Sequence, residues 1–150
     1  MLARIDAVAT TDVALSVSDL TVSLPLDMER QYAVENLSFD LKRGQILCII
    51  GESGSGKSVT ANAIMGLLPK VIRVTGGAID LEGRSIMGLP AGELRSLRGR
   101  VVSMIFQDPL SALNPLMTVG DQITEVMAAH GIGTSESRRS RAMEMLAEVG

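Results

Sequence analysis

An apolar hexapeptide, a glycine-rich turn and a helix-forming stretch follow one another directly in the first half of the chain. The hexapeptide is residues 45–50, Gln-Ile-Leu-Cys-Ile-Ile, and the turn is residues 51–58, Gly-Glu-Ser-Gly-Ser-Gly-Lys-Ser. The hexapeptide predicts a buried strand, and the residues from Lys57 onward predict a helix. A strand, a glycine turn and a helix in this order aim backbone N–H groups at a phosphate chain.

The turn fits the pattern G-x-x-x-x-G-K-[ST] at every fixed position. Gly54 and Gly56 lack a Cβ, so the backbone can approach phosphate oxygens and adopt positive φ. Lys57 can place its ammonium against the β- and γ-phosphates, and Ser58 can offer its hydroxyl to Mg²⁺. The sequence therefore predicts a site for a nucleoside triphosphate with Mg²⁺. The residues predicted to form it are Gly51, Glu52, Ser53, Gly54, Ser55, Gly56, Lys57, Ser58 and Val59.

A second apolar run, residues 101–106, predicts another buried strand, and Gln107 follows it directly. Side chains at the C-terminal end of such a strand project into the crevice where open α/β sheets bind ligands. A glutamine in that position can ligate Mg²⁺ and orient water, or it can be a polar loop residue. The position alone leaves both interpretations open.

Hydrophobic periodicity predicts the remaining elements. Apolar alternation indicates strands over residues 14–24, with a break near Asp19, and over residues 33–41 and 78–81. Helical spacing indicates helices over residues 91–97 and 119–129. A last helix begins where Thr134 can cap it. The apolar stripe of that helix is predicted to be a packing surface and consists of Ala142, Met145, Leu146 and Val149.

Composition narrows the class of protein. The 150 residues suffice for one domain, and the net charge of -3 gives no sign of a nucleic-acid partner. The single cysteine, Cys48, excludes an intramolecular disulfide and is predicted to be a buried apolar residue. No apolar run approaches the roughly 20 residues that a membrane-spanning helix needs. The first residues lack the pattern of a secretory signal, so contact with a membrane would be made through a partner.

The residues of the turn, followed by Ile-Met-Gly-Leu-Leu-Pro at 64–69, resemble the ATP-binding subunits of ABC transporters. Residues 104–109, Met-Ile-Phe-Gln-Asp-Pro, and 111–115, Ser-Ala-Leu-Asn-Pro, resemble the Q-loop region of the branch that imports oligopeptides, dipeptides and nickel. The resemblance runs from about Leu15 to Gly150 in one register.

This resemblance implies an α/β fold of the P-loop NTPase class, with a RecA-like core, an antiparallel β subdomain and a helical subdomain within which the chain ends. Residues 1–12 would be a flexible leader, and residues 13–150 the N-terminal portion of an ABC ATP-binding domain. The implied ligands are ATP and Mg²⁺. Gln107 would be the Q-loop glutamine, a catalytic residue that binds Mg²⁺, as Ser58 does, and the attacking water.

The resemblance also implies a function and partners. The complete subunit would bind and hydrolyse ATP to energise import of dipeptides or oligopeptides, at the cytoplasmic face of the plasma (inner) membrane. It would dock on membrane-spanning permease subunits through the surface near residues 111–118. It would pair with a second ATP-binding subunit and depend indirectly on a substrate-binding protein. Nucleic acid is not among the implied partners.

Two departures from the family pattern affect these expectations. The family stacks adenine on an aromatic residue before the second strand, but residues 23–30 contain none, and Tyr32 is only a weak substitute. The signature motif, the Walker B Asp with the catalytic Glu, and the switch His lie downstream of the Q-loop in the family and do not occur here. The chain alone is therefore expected to show little ATPase activity and to expose apolar surface of an incomplete central sheet.

Two alternatives stay open at this point. One is a truncated, catalytically inactive fragment that binds nucleotide or partners. The other is a non-transport P-loop protein, such as a kinase or a small GTPase, although membership of that class would not explain the sequence of residues 106–115, Phe-Gln-Asp-Pro-Leu-Ser-Ala-Leu-Asn-Pro.

Overall fold

The computed structural model describes residues 12–108 and 113–150. The chain forms two compact units, Met1–Val101 and Val102–Gly150. Residues 1–11, which make up most of the predicted leader, and residues 109–112 lie outside the described residues. In the described part of the chain, every helix is too short or too polar to cross a membrane.

The first unit contains a four-stranded antiparallel sheet in the order β2-β1-β3-β4. Its strands are β1 (Val13–Ser23), β2 (Tyr32–Lys42), β3 (Arg73–Leu81) and β4 (Arg84–Ser85). The buried face is lined by apolar side chains of β1, β2 and β3: Val17, Leu20, Val22, Val34, Ile79 and Leu81. The antiparallel sheet expected from the resemblance is confirmed, and so are the strands predicted from alternation, with bounds that differ by a few residues.

A bulge interrupts β1 at the predicted break. Asp19 has a φ of 48°, and the pairing of β1 with β3 shifts between Ser18 and Thr21. Gly77 faces this bulge with a φ of 84°, and a methyl group there would lie 2.5 Å from the carbonyl oxygen of Asp19. Residues 76 and 77 therefore lie inside β3, whereas the sequence predicted a strand that begins after them.

Replacing Gly77 with alanine is expected to lower the free energy of unfolding by about 2–4 kcal/mol, because a positive φ and a backbone collision add. Gly88 is the matched control, with a φ of 74° and no heavy atom within 4 Å of an added methyl group. Its replacement by alanine is expected to cost only about 1 kcal/mol. Urea unfolding followed by circular dichroism measures both changes, and equal losses would contradict the bulge argument.

Two helices complete the first unit. Helix α1 (Lys57–Ile64) is capped at Met65 and followed by Gly66, whose φ is 62°. The N–H of Leu67 donates to the carbonyl of Asn62 at 2.8 Å, and the N–H of Gly66 donates to Ala63 at 3.0 Å, which is the Schellman arrangement. Helix α2 (Ala91–Leu97) has the predicted bounds.

Arg98, just after α2, donates from its guanidinium to the carbonyls of Met65 and Gly66, both at 2.8 Å. A cation at the C-terminus of α1 interacts favourably with the negative end of the helix dipole. Arg98 therefore fixes the end of α1 that lies away from the glycine turn.

The two predicted buried strands are wrong. Residues 45–50 and 101–106 form no strand, and most of their apolar side chains are exposed, with relative accessibilities of 98% at Ile46 and 96% at Ile105. Val102 and Met104 are half-buried. Cys48 is exposed as well, which contradicts its predicted burial. A strand that is apolar on both sides is stable only when neighbouring strands and helices cover it, and the sheet of the described residues pairs four other segments. The exposed apolar surface predicted from the resemblance is confirmed.

The second unit contains a pair of packed helices, α3 (Val119–Ala129) and α4 (Ser135–Val149). Thr118 caps α3 by accepting from the N–H of Asp121 at 3.1 Å. Thr134 caps α4 as predicted, in a reciprocal pair with Ser137. His130 ends α3, and the turn that follows contains Gly131 and Gly133, both with positive φ.

The packing surface predicted for α4 is only partly correct. Ala142 is buried and Leu146 is half-buried, but Met145 is 42% and Val149 is 82% exposed. In α3, Ile123 and Met127 are half-buried and Val126 is exposed. Each helix packs along one narrow stripe on its neighbour, so the outer residues of a wider apolar stripe remain exposed.

Candidate functional site

The turn at residues 51–56 packs against the start of β2. Gly54 and Gly56 have φ values of 78° and 92°, in the region that glycine adopts at little cost. A methyl group at Gly56 would lie 2.9 Å from Cγ2 of Val34 and would collide with the carbonyl oxygen of Ala33. Both the backbone conformation and the close approach therefore require glycine at this position.

The N-terminus of α1 opens from this turn without a side-chain cap and without an acidic residue in its first turn. The N–H groups of Lys57, Ser58 and Val59 have no intrahelical acceptors, because they belong to the first turn of the helix. They carry the positive end of the helix dipole. An anion placed at this end would receive several hydrogen bonds and a favourable field.

The Lys57 side chain folds back over the turn. Its Nζ donates to the carbonyl of Gly51 at 2.6 Å, to the carbonyl of Glu52 at 2.7 Å and to Oγ of Ser55 at 3.1 Å. A methyl group at Gly51 would lie 2.7 Å from that Ser55 Oγ, so the glycine keeps this contact open. The turn therefore holds an ammonium group beside the free N–H groups of α1.

Ser58 and Val59 occupy the first turn of α1, where Ser58 is exposed and Val59 is half-buried. Mg²⁺ takes oxygen ligands and is commonly held by one or two protein oxygens together with waters and substrate phosphates. One exposed hydroxyl beside a phosphate-binding turn fits that donor set. Residues 12–108 and 113–150 contain no cluster of three His, Cys, Asp or Glu side chains able to hold a metal alone. Ser58 as a Mg²⁺ ligand stays a prediction.

Thr60 is a site residue that the sequence reasoning missed. It is 2% exposed, and both its N–H and its hydroxyl donate to the carbonyl of Gly56, at 2.8 and 3.0 Å. A threonine bonded to the carbonyl four residues earlier is a recognised local pattern, so the spacing of Gly56 and Thr60 was the available signal. Thr60 holds the helix start at the turn.

Arg30 is a second missed residue. It lies in the β1–β2 loop, and its Nη2 donates to the carbonyl of Gly54 at 3.0 Å. Nothing in the local pattern of residues 25–31 indicates this contact. Tyr32 begins β2, is half-buried and pairs with Ser23, and its suggested contact with adenine remains untested.

Gln107 lies in the second unit, is exposed, and follows a segment that is not a strand. The geometric reason for placing it at a strand end is therefore wrong. Its role as a catalytic residue and Mg²⁺ ligand stays a prediction that depends on the resemblance alone.

Part of the surface predicted to meet membrane-spanning partners is described, from residue 113 onward. Gln122 of α3 accepts from the N–H of Asn114 at 3.0 Å and donates to the carbonyls of Asn114 and Met117, at 3.1 and 3.2 Å. Oδ1 of Asn114 accepts from the N–H of Leu116 at 3.0 Å. This short segment is thus bonded to α3 through one glutamine, which the sequence reasoning also missed.

A glycine turn that exposes helix N–H groups beside a lysine ammonium, joined to an antiparallel sheet, defines a P-loop protein of the α/β class. The chain belongs to the ABC transporter family, whose family model matches residues 34–150. This match removes the alternative of a kinase or small GTPase.

Individual relatives support the same branch. The dipeptide transport ATP-binding protein DppD of Bacillus subtilis is 44% identical over 137 residues, which are 91% of this chain and 41% of that protein. The oligopeptide transport ATP-binding protein OppD of Escherichia coli is 49% identical over 119 residues, which are 79% of this chain and 35% of that protein. The chain therefore spans less than half the length of these curated relatives.

A solved structure shares the fold. It is the ATP-binding cassette MJ0796, a dimer in a post-hydrolysis state bound to ADP and Pi, with a TM-score of 0.72 and 27% identity. The alignment covers 89% of this chain and 56% of that one. The predicted fold class is confirmed by this similarity and by the family match.

Proposed function

We propose that this chain supplies the phosphate-binding part of an ABC transporter ATP-binding subunit and binds ATP with Mg²⁺. The observation that carries the proposal is the Lys57 ammonium, held on the carbonyls of Gly51 and Glu52 beside the uncapped N-terminus of α1. A positive charge and several backbone N–H donors at one place suit a polyphosphate, because its oxygens are anionic acceptors.

Each group has a separate part in this binding. The N–H groups of Lys57, Ser58 and Val59 donate to phosphate oxygens, and the Lys57 ammonium balances their charge. Gly54 and Gly56 let the backbone approach the ligand. Bound Mg²⁺ would supply further positive charge to neutralise the phosphates. In this proposal the Ser58 hydroxyl is one ligand of that ion.

The proposed role in the cell follows from the relatives, two of which are named for dipeptide and oligopeptide transport. We propose that the complete subunit energises peptide import by hydrolysing ATP, with Gln107 acting on Mg²⁺ and water. Its proposed partners are membrane-spanning permease subunits, a second ATP-binding subunit and, indirectly, a substrate-binding protein. The proposed location is the cytoplasmic face of the membrane, as a peripheral protein.

The test is an equilibrium titration of the chain with ATP, ADP and AMP in the presence of Mg²⁺. If the turn binds the phosphate chain, ATP and ADP are expected to bind at least about tenfold more tightly than AMP, because AMP lacks the phosphates that Lys57 would contact. Calorimetry measures the three affinities. Equal affinities for ATP and AMP would contradict a phosphate-binding turn.

A further inference from the structure

The β1–β2 loop places a second cation on the turn. The Leu24 N–H donates to the carbonyl of Gln31 at 2.9 Å and closes this loop, and Met28 donates to Pro25 at 3.1 Å within it. Arg30 lies near the end of the loop, two residues before the first residue of β2. Its guanidinium therefore projects from a closed turn next to a strand.

Arg30 lies close in sequence to β2, and β2 is the strand that contacts the glycine turn. Gly56 lies so close to Ala33 and Val34 of β2 that a methyl group could not be added there. Arg30, three residues before Ala33, reaches Gly54 with Nη2 at 3.0 Å from the carbonyl oxygen. The position of the guanidinium relative to the turn is thus set by backbone packing as well as by its hydrogen bond.

Two cations now sit on the carbonyls of a single short turn. Lys57 bonds to Gly51 and Glu52, and Arg30 bonds to Gly54. Within residues 12–108 and 113–150, neither cation forms an ion pair with a carboxylate. Two like charges on one turn repel each other, and a bound anion that contacts both would relieve the repulsion.

We propose that Arg30 is a second phosphate-binding cation of the nucleotide site, supplied from the β1–β2 loop; this rests on the proposed binding of ATP to the turn. One Nη donates to the Gly54 carbonyl, and the guanidinium has further N–H donors in a planar fork that matches phosphate oxygens. The group recognised is the phosphate chain. The base is not part of this contact.

The test compares variants of Arg30 in titrations with MgATP and with inorganic tripolyphosphate. Arg30→Ala is expected to lower the affinity for both ligands by about threefold to tenfold. The effect is modest because the contact is exposed to solvent. Arg30→Lys keeps the charge and is expected to retain most of the affinity. Arg95→Ala removes an exposed arginine of α2 in the same unit and is expected to bind both ligands as the unchanged chain does.

Arg30→Gln tests the charge of the side chain. Glutamine ends two atoms short of the arginine Nη2 and carries no charge, so it is expected to bind both ligands as weakly as Arg30→Ala, whereas Arg30→Lys retains most of the affinity. Wild-type affinity in Arg30→Gln, or a loss confined to ATP with tripolyphosphate unaffected, would overturn the proposal.

The same titrations distinguish a wrong role for Arg30 from failure of the proposed function. If the unchanged chain binds neither ligand, the ATP site itself is absent. If the chain binds both ligands and Lys57→Ala weakens them while Arg30→Ala does not, the site is present and only the role of Arg30 is wrong.

Discussion

Replacing Lys57 with alanine is expected to weaken the binding of MgATP by about tenfold to a hundredfold, the cost of a lost hydrogen bond between charged groups. The ammonium lies across the turn on two carbonyls and one hydroxyl. Without it, the phosphates would lose the cation of the turn itself and keep only the helix dipole, Mg²⁺ and, as proposed, Arg30 to balance their charge. Calorimetric titration with MgATP measures the change.

The fold is expected to survive this substitution. The carbonyl groups that Lys57 binds belong to Gly51 and Glu52, which are exposed, so water can replace the ammonium. Far-UV circular dichroism checks that the structure is retained. Lys70→Ala is the matched control, since Lys70 is an exposed lysine in a turn of the same unit. Equal affinity for MgATP in Lys57→Ala and in the unchanged chain would contradict the assignment of the site.

Replacing Gly56 with alanine is expected to lower the free energy of unfolding by about 2–5 kcal/mol, since left-handed strain and overpacking add. The φ of 92° is unfavourable for alanine, and the added methyl group would collide with the Ala33 carbonyl. The turn would have to move away from β2, and the N–H groups at the start of α1 would move with it. Binding of MgATP is therefore expected to fall as well.

Gly44 provides the control for this effect. It has a φ of 72° and no heavy atom within 4 Å of an added methyl group, so Gly44→Ala carries only the conformational cost of about 1 kcal/mol. Urea unfolding followed by circular dichroism measures both variants. A loss in Gly56→Ala no larger than that in Gly44→Ala would show that the contact with β2 does not constrain the turn.

The elements that the sequence predicted correctly depend on local signals. Thr134 caps α4, and Gly131 and Gly133 separate it from α3, all within a few residues of the helix ends they define. The bounds of α2 and α3 follow for the same reason. Alternation in β1 and β2 indicated strands because each buries one face only, and a short loop joins them.

The two strands that were predicted wrongly would depend on pairing with segments that are distant in sequence. Residues 45–50 and 101–106 are apolar except for Gln45 and Ser103, and such a run can form a strand only when other segments pair with it and cover it. Their composition indicated burial, while the sheet of the described residues is built from different segments. Ile46 and Ile105 are consequently exposed.

The residues of the candidate site also fall into two groups, those with a local sequence signal and those that depend on distant partners. The glycine turn and Lys57 were evident because the motif is contiguous, and their geometry depends on neighbours in sequence. The spacing of four residues between Gly56 and Thr60 is also a local signal. Arg30 lies 24 residues from Gly54, and no periodicity connects two positions that meet only after β1 and β2 have paired.

The three hydrogen bonds of Gln122 have a mechanical consequence. The segment at residues 114–117 is tied to α3 at Asn114 and at Met117, so it travels with the helix as one stiff piece. A displacement of that segment would therefore be transmitted to α3, because the hydrogen bonds leave no flexible linker between them. A single amide side chain thereby turns what resembles a loop in the sequence into an extension of α3.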